Sequence, residues 1–259
     1  MKKLCDVQNI SFLYNKGSCK ERQVLSQVSF SVNSNEIVGI LGKNGCGKST
    51  LLNIISGFLE PQKGSILINE KSIKNYSLNE RARTISYIQQ KNITIPFYYK
   101  VQDFILEGRR PYRKLGMYDT QDYELLDSTL EQCDLTSFNN RIMTELSGGE
   151  QQRCIFAREI MKQAELLLFD EPCSAMDIKY QKEFFNIAKK LKVQNRNSIL
   201  ITIHDINLAV QNCDRIILLD KGRVAYDGSA EEISCQVLSQ AFEVEVKDKN
   251  ENGIRYLFY

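Results

Sequence analysis

Apolar positions in this chain follow two different periods. The runs Ile37-Val38-Gly39-Ile40-Leu41, Leu166-Leu167-Leu168-Phe169 and Ser198-Ile199-Leu200-Ile201-Thr202-Ile203 predict strands buried on both faces, and they alternate with helical spacings as in an α/β fold. Upstream, Val28, Phe30 and Val32 alternate with Ser29, Ser31 and Asn33, which predicts a half-buried strand in a separate antiparallel sheet and makes the architecture mixed. Over about 91–143 the spacing becomes helical. Val101, Phe104 and Ile105 share one face, with Gly108 suited to a C-cap, and Tyr123, Leu126 and Leu130 share another, so this stretch reads as an inserted helical subdomain. Past Arg215, strands resume around Asp220-Lys221-Gly222, followed by a helix over about 230–242 and a hairpin across 247–253. The expected divisions are a core of about 1–90 and 160–225, a helical subdomain of about 91–159 and a C-terminal extension of about 226–259.

Composition narrows this picture. A chain of 259 residues, 42% hydrophobic and 25% charged, can bury the core of one large domain or two small ones, which excludes a disordered or fibrous chain. With 34 basic and 32 acidic residues the net charge is +2, so nothing in the bulk electrostatics favours nucleic acid or lipid, no nucleic-acid partner is expected, and a charged ligand must be held locally. No apolar run approaches the ~20 residues of a membrane span, and Met1-Lys2-Lys3 leads into no signal-peptide core, so a cytoplasmic product is expected. Eight scattered cysteines contain no CxxC spacing and are expected to be reduced thiols.

Three motifs carry chemistry. Gly42-Lys43-Asn44-Gly45-Cys46-Gly47-Lys48-Ser49 fits G-x-x-x-x-G-K-[ST] between a buried strand and a helix that opens through Thr50, Leu51 and Leu52. Its amides can curl around phosphate oxygens, Lys48 reaches the β/γ-phosphates and Ser49 can ligate Mg²⁺. Asp170 ends the Leu166-Phe169 strand, where it would hold Mg²⁺ directly or through water, and Glu171 beside it could polarise an attacking water. Leu146-Ser147-Gly148-Gly149-Glu150-Gln151-Gln152-Arg153 is a second glycine-rich turn before a helix reaching about Met161, so its amides and Ser147 form a second anion site.

This last motif resembles the signature of the ATP-binding-cassette (ABC) family, and the order of motifs is the family's. The resemblance covers nearly the whole chain. It implies a P-loop NTPase fold with a RecA-like core, an N-terminal antiparallel β subdomain and an inserted α-helical subdomain. It also implies a head-to-tail dimer with a second copy, in which Ser147, Gly148 and Gly149 close over the γ-phosphate held by the partner's P-loop. Tyr14 lies where the family places an aromatic that stacks on adenine, although an ordinary edge-strand role suits it nearly as well. Tyr87-Ile88-Gln89-Gln90 resembles the Q-loop; spacing selects Gln90 as the residue near Mg²⁺ and water, with Gln89 a one-residue alternative. Ser174-Ala175-Met176-Asp177 resembles the D-loop, which would face Asp177 to the partner. His204, the chain's sole histidine, resembles the switch histidine that contacts the γ-phosphate, with helix capping as the other reading. Cys46, beside a helix N-terminus, is either a merely small residue or a thiol of lowered pKa whose modification ATP would prevent.

The run Gly108-Arg109-Arg110-Pro111-Tyr112 resembles a segment of importers of the iron-siderophore, haem and vitamin B12 type; a solvated basic helix end is the alternative. The implied function is the ATPase subunit of such an importer, using ATP and Mg²⁺. It would dock as a dimer at the inner face of the membrane beneath a permease fed by an external substrate-binding protein. A soluble cassette ATPase in an assembly complex, such as iron-sulfur cluster biogenesis, is the competing reading.

Overall fold

Uninterrupted and alternating strands separate into different sheets in the computed structural model, which describes residues 2–17, 20–89, 98–113, 117–173, 177–194, 197–251 and 253–259. The first half of the chain forms β1 (Lys3–Tyr14), β2 (Arg22–Asn33), β3 (Ile37–Leu41), α1 (Lys48–Ile55), β4 (Lys63–Ile68), β5 (Lys71–Ser72), α2 (Leu78–Thr84) and β6 (Ile85–Ile88). Three helices follow, α3 (Val101–Leu106), α4 (Thr120–Gln132) and α5 (Gly148–Ile160), and then β7 (Leu166–Asp170), α6 (Ile178–Gln194), β8 (Ser198–Thr202) and α7 (Ile206–Asn212). The chain ends with β9 (Arg215–Asp220), β10 (Arg223–Ser229), α8 (Cys235–Phe242), β11 (Lys247–Glu251) and β12 (Ile254–Phe258).

The large sheet has the order β10-β9-β3-β8-β7-β6. Its strands pair in parallel except for β10, which returns antiparallel to β9 through the Lys221-Gly222 turn. Both faces are covered, which is why its central strands are apolar at nearly every position. Ile37 and Leu41 of β3, Leu167 and Phe169 of β7, and Ile199 and Ile201 of β8 enter a core shared with α3 to α7. Their neighbours Val38, Ile40, Leu166, Leu168 and Leu200 enter a second core beneath α1 and the other sheet. That sheet, β2-β1-β4-β5, is antiparallel throughout, and Val28, Phe30 and Val32 point into the second core as the alternation predicts. Consecutive parallel strands therefore finish at one edge of the large sheet, where the loops after β3, β7 and β8 gather.

Three local expectations change. Gly108 is not a left-handed C-cap. It lies in a 3-10 turn, Glu107–Tyr112, and a Cβ there would stand 2.1 Å from the Arg158 carbonyl oxygen, so its function is to let the end of α3 touch α5. Tyr123 is 51% exposed and stands edge-on to Tyr118, while Leu126, Thr129 and Leu130 form the buried stripe of α4. The last helix begins only at Cys235, where Ser234 accepts a hydrogen bond from the Val237 amide; Ala230 is buried in the preceding turn.

Candidate active site

The loop after β3 delivers Lys48 and Ser49 to the edge where β7 and β8 end. Gly47 holds φ at 111° to start α1, a conformation that excludes a side chain; a Cβ would also lie 2.7 Å from Leu25 Cδ2. No side chain caps this helix, so its first amides are left to meet an anion. Lys48 is 4% exposed, and its Nζ donates to the carbonyls of Gly42 at 2.8 Å and Lys43 at 3.2 Å, with His204 Nδ1 3.5 Å away. The ammonium is thus fixed at the floor of the loop.

Asp170 sits at the same floor, 4% exposed. Its Oδ1 accepts hydrogen bonds from Ser49 Oγ at 3.1 Å and Thr202 Oγ1 at 2.9 Å. Burial is the main reason that its pKa is raised; the two hydroxyls oppose the shift and the Glu171 charge adds to it. Glu171 turns into the left-handed region, φ 52°, and its amide donates to Thr202 Oγ1 at 2.8 Å. That bend carries its carboxylate to His204 Nε2. His204 is thus paired with Glu171, while the cap of α7 comes from Asp205, whose Oδ1 takes the Leu208 amide.

Tyr14, 41% exposed, closes one wall. Its hydroxyl lies 3.3 Å from Thr50 Oγ1 and its ring stands edge-on to Phe12 at 4.9 Å. It lines a cleft of about 200 Å³ with Asn44, Gly45, Lys48, Thr50 and Glu171. Arg22 also lines this cleft, reaching the Gly45 carbonyl at 3.4 Å, and the sequence reading missed it along with Thr202. The parallel register that opposes Asp170 to Thr202 would have found the latter.

Cys46 requires a correction. Its thiol is buried and packs under Gly42, whose imagined Cβ would lie 2.7 Å from Sγ. Burial raises its pKa, outweighing the nearby Lys48 and the amide bonds, so the expectation of a lowered, reactive thiol fails. The helix-end potential acts on a group that the core has already desolvated.

The second glycine-rich turn lies elsewhere. Ser147 caps α5: it accepts from the Glu150 amide at 3.4 Å, and both its own amide and its Oγ donate to Glu150 Oε2 at 2.7 Å. Ser147 and Gly148 are exposed, and among the described residues no hydrogen bond joins Ser147, Gly148 or Gly149 to the loop 42–50. Gly149 instead packs against the Tyr180 ring, 3.1 Å from its imagined Cβ. Asp177 is exposed and caps α6 through the Tyr180 amide. Gln89 is exposed after β6, whereas Gln90, Ser174, Ala175 and Met176 lie outside the described residues.

Nor is the Gly108 to Tyr112 segment a solvated end, apart from the exposed Arg110. Arg109 forms a buried ion pair with Asp122 at 2.6 Å, bonds the Met161 carbonyl and stacks on Tyr112 at 3.9 Å. Tyr112 bonds the Lys162 carbonyl, and Arg83 of α2 bonds that of Pro111. The turn is a knot joining α2, α4 and the end of α5.

A phosphate loop, a buried carboxylate strand with an adjacent glutamate and histidine, and a separate outward-facing serine-glycine turn define a P-loop ATPase of the cassette type. The family model described as ABC transporter matches residues 25–174, and the chain belongs to that family. An uncharacterised ABC transporter ATP-binding protein of Methanocaldococcus jannaschii is 34% identical over 251 residues, spanning 97% of this chain and 96% of its own. A hemin import ATP-binding protein of Escherichia coli O157:H7 is 34% identical, spanning 85% and 86%. A petrobactin import ATP-binding protein of Bacillus anthracis is 32% identical, spanning 87% and 84%. Among solved structures, an inward-facing metal-chelate type ABC transporter superposes with a TM-score of 0.83 at 27% identity, over 99% of this chain and 96% of its own. A dimeric ATP-binding cassette bound to ADP and Pi gives 0.76 at 27% identity, over 89% and 100%. Among the described residues, no helix is long and apolar enough to cross a membrane.

Proposed function

We propose that this chain is the ATP-hydrolysing subunit of an importer for an iron chelate, haem or cobalamin. It would act as a head-to-tail pair at the inner face of the membrane, beneath a permease supplied by an external substrate-binding protein. The named import ATPases among its relatives support this reading over a soluble assembly module. In each turnover Tyr14 meets the adenine, the amides of 42–50 with Lys48 grip the phosphates, and Ser147, Gly148 and Gly149 of the other copy close the seat, with Asp177 facing that copy. Glu171 accepts a proton from the attacking water, and His204 would turn its Nε2–H from Glu171 toward the γ-phosphate when nucleotide binds.

The residues present fit a magnesium ion: the buried Asp170 carboxylate is oriented through Oδ1 by two hydroxyls, one of them that of Ser49 in the phosphate loop. Ser49, Asp170 and Gln90 would hold the ion, which when bound offsets charge on the β- and γ-phosphate oxygens. The loop at Gln90 and the helical subdomain of about 91–159 would carry closure to the permease.

One observation carries the reading. Ser147 and Gly148 are exposed and, among the described residues, make no hydrogen bond to this chain's own phosphate loop, which supports a seat completed by a second copy. The test is Glu171→Gln with ATP, followed by light scattering of the purified subunit and of the permease complex. A closed dimer with hydrolysis slowed by at least about 100-fold is expected; a monomer at every concentration, even with the permease, would refute it. Uptake assays with haem, a ferric siderophore and cobalamin in permease-containing vesicles then separate the cargoes.

A further inference from the structure

Among the described residues near the phosphate floor, Tyr87 carries a buried hydroxyl with no role in the site as described so far. It lies on β6, next to β7, in the parallel register Tyr87↔Leu168. Its neighbour Ser86 faces the other side of the sheet, where its hydroxyl bonds the buried Glu159 of α5 at 2.6 Å. Successive strand residues alternate, so Tyr87 faces the α1 side together with Leu168 and, two residues further on, Asp170. The ring packs near Phe58 at 5.9 Å. The Tyr87 hydroxyl is buried and makes no well-formed hydrogen bond. It faces the Asp170 carboxylate, which, after burial, pushes its pKa up through its charge and a marginal hydrogen bond.

A buried donor without a well-formed bond is rare in a packed protein and points to a group that arrives with a ligand. The acceptor side can take such a group, because Ser49 and Thr202 both bond Asp170 Oδ1. Resting on the function proposed above, we infer that Tyr87 is a positioning residue for the magnesium of the bound nucleotide. Its hydroxyl donates to a water shared with Asp170 at the ion and so orients the carboxylate from the side opposite Ser49 and Thr202. Tyr87 is the next-to-last residue of β6 and precedes Gln90 by three positions in the sequence.

Tyr87→Phe isolates the claim, because it keeps the ring and removes only the hydroxyl. The full-length variant and its parent are titrated with MgCl2 in the presence of a fluorescent, non-hydrolysable ATP analogue, and again in EDTA. The half-saturating magnesium concentration should rise about tenfold, as for loss of an outer partner of a metal ligand. Analogue affinity in EDTA and the melting temperature without nucleotide should not fall. An unchanged magnesium requirement in Tyr87→Phe beside a magnesium-dependent parent overturns this inference alone, as does an affinity loss that persists in EDTA. A parent whose nucleotide binding ignores magnesium overturns the inference together with the functional reading.

Discussion

The two phosphate-gripping turns of this chain are built in opposite ways. The loop at 42–50 is finished: Lys48 and Asp170 are buried, no side chain caps α1, and burial holds the Asp170 pKa up. The turn at 147–149 exposes Ser147 and Gly148 and is already satisfied by its own carboxylate, since Glu150 takes both the Ser147 amide and hydroxyl, bonds that lower the Glu150 pKa. At the first site burial disfavours the ionised carboxylate. At the second a side chain occupies the donors of the turn. On the function proposed above, the loop binds nucleotide by itself, whereas the turn meets the anion only when a partner brings it, so that closure exchanges one acceptor for another.

Removing the buried cation should have the largest effect. Lys48→Ala deletes the donor fixed at 2.8 Å from the Gly42 carbonyl, and truncating a buried, hydrogen-bonded charge weakens binding by at least about 2.7 kcal/mol, or about 100-fold. Calorimetric titration with ATP checks this. Retained affinity would mean that the amides alone grip the phosphates.

Asp170→Asn probes the strain at the same site. A folded pKa above the unfolded one contributes stability that is present below the unfolded value and lost as pH rises through the folded value. Asn cannot ionise and still offers Oδ1 to Ser49 and Thr202. The nucleotide-free variant should therefore melt a few degrees higher than its parent at pH 7, about 2–4 °C per kcal/mol, with the gap closing near pH 4 as the parent protonates. Its stabilisation by ATP with magnesium should disappear. Scanning calorimetry across that range reads both signs, and a lower melting point at pH 7 would place the strain elsewhere.

How much of this contrast was legible in the sequence depends on distance along the chain. The phosphate loop, the Asp170-Glu171 strand and the serine-glycine turn are contiguous motifs flanked by strong apolar periods, so both their chemistry and their place on strands and helices could be read. The partners that tune them could not. Thr202 lies 32 residues beyond Asp170, and Tyr87 more than 80 before it; only the parallel register brings such common residues to one floor. Cys46 kept two readings open because a helix N-terminus is visible in sequence while the packing that desolvates a thiol, and favours the merely small residue, is not. Gly108 misled for the same reason: a glycine at a helix end looks like a cap until the neighbouring helix is seen pressed against it.

At the second turn the effects are smaller. Ser147→Ala removes the α5 cap and should lower stability by about 1 kcal/mol, with little change in ATP affinity of the isolated subunit. In the Glu171→Gln background it should also abolish ATP-driven pairing, as seen by light scattering. A loss of nucleotide affinity as large as that of Lys48→Ala would erase the distinction between the two turns.

The finest test exchanges the stand-in carboxylate for its neutral counterpart. Glutamine also completes a capping box, so Glu150→Gln should leave α5 intact while removing a negative charge from the place where a phosphate oxygen must bond Ser147. Near a helix N-terminus one exposed charge is worth roughly 0.3–1 kcal/mol, so in the Glu171→Gln background the concentration for half-maximal pairing with ATP should fall by about two- to fivefold. Because the effect is electrostatic and close to solvent, it should shrink as salt rises from about 0.1 M, where the screening length is about 10 Å, towards 1 M, where it is about 3 Å. Sedimentation at both salt levels measures it. If Glu150→Gln pairs at the same concentration as its parent, or a higher one, the carboxylate opposes no phosphate and merely caps the helix.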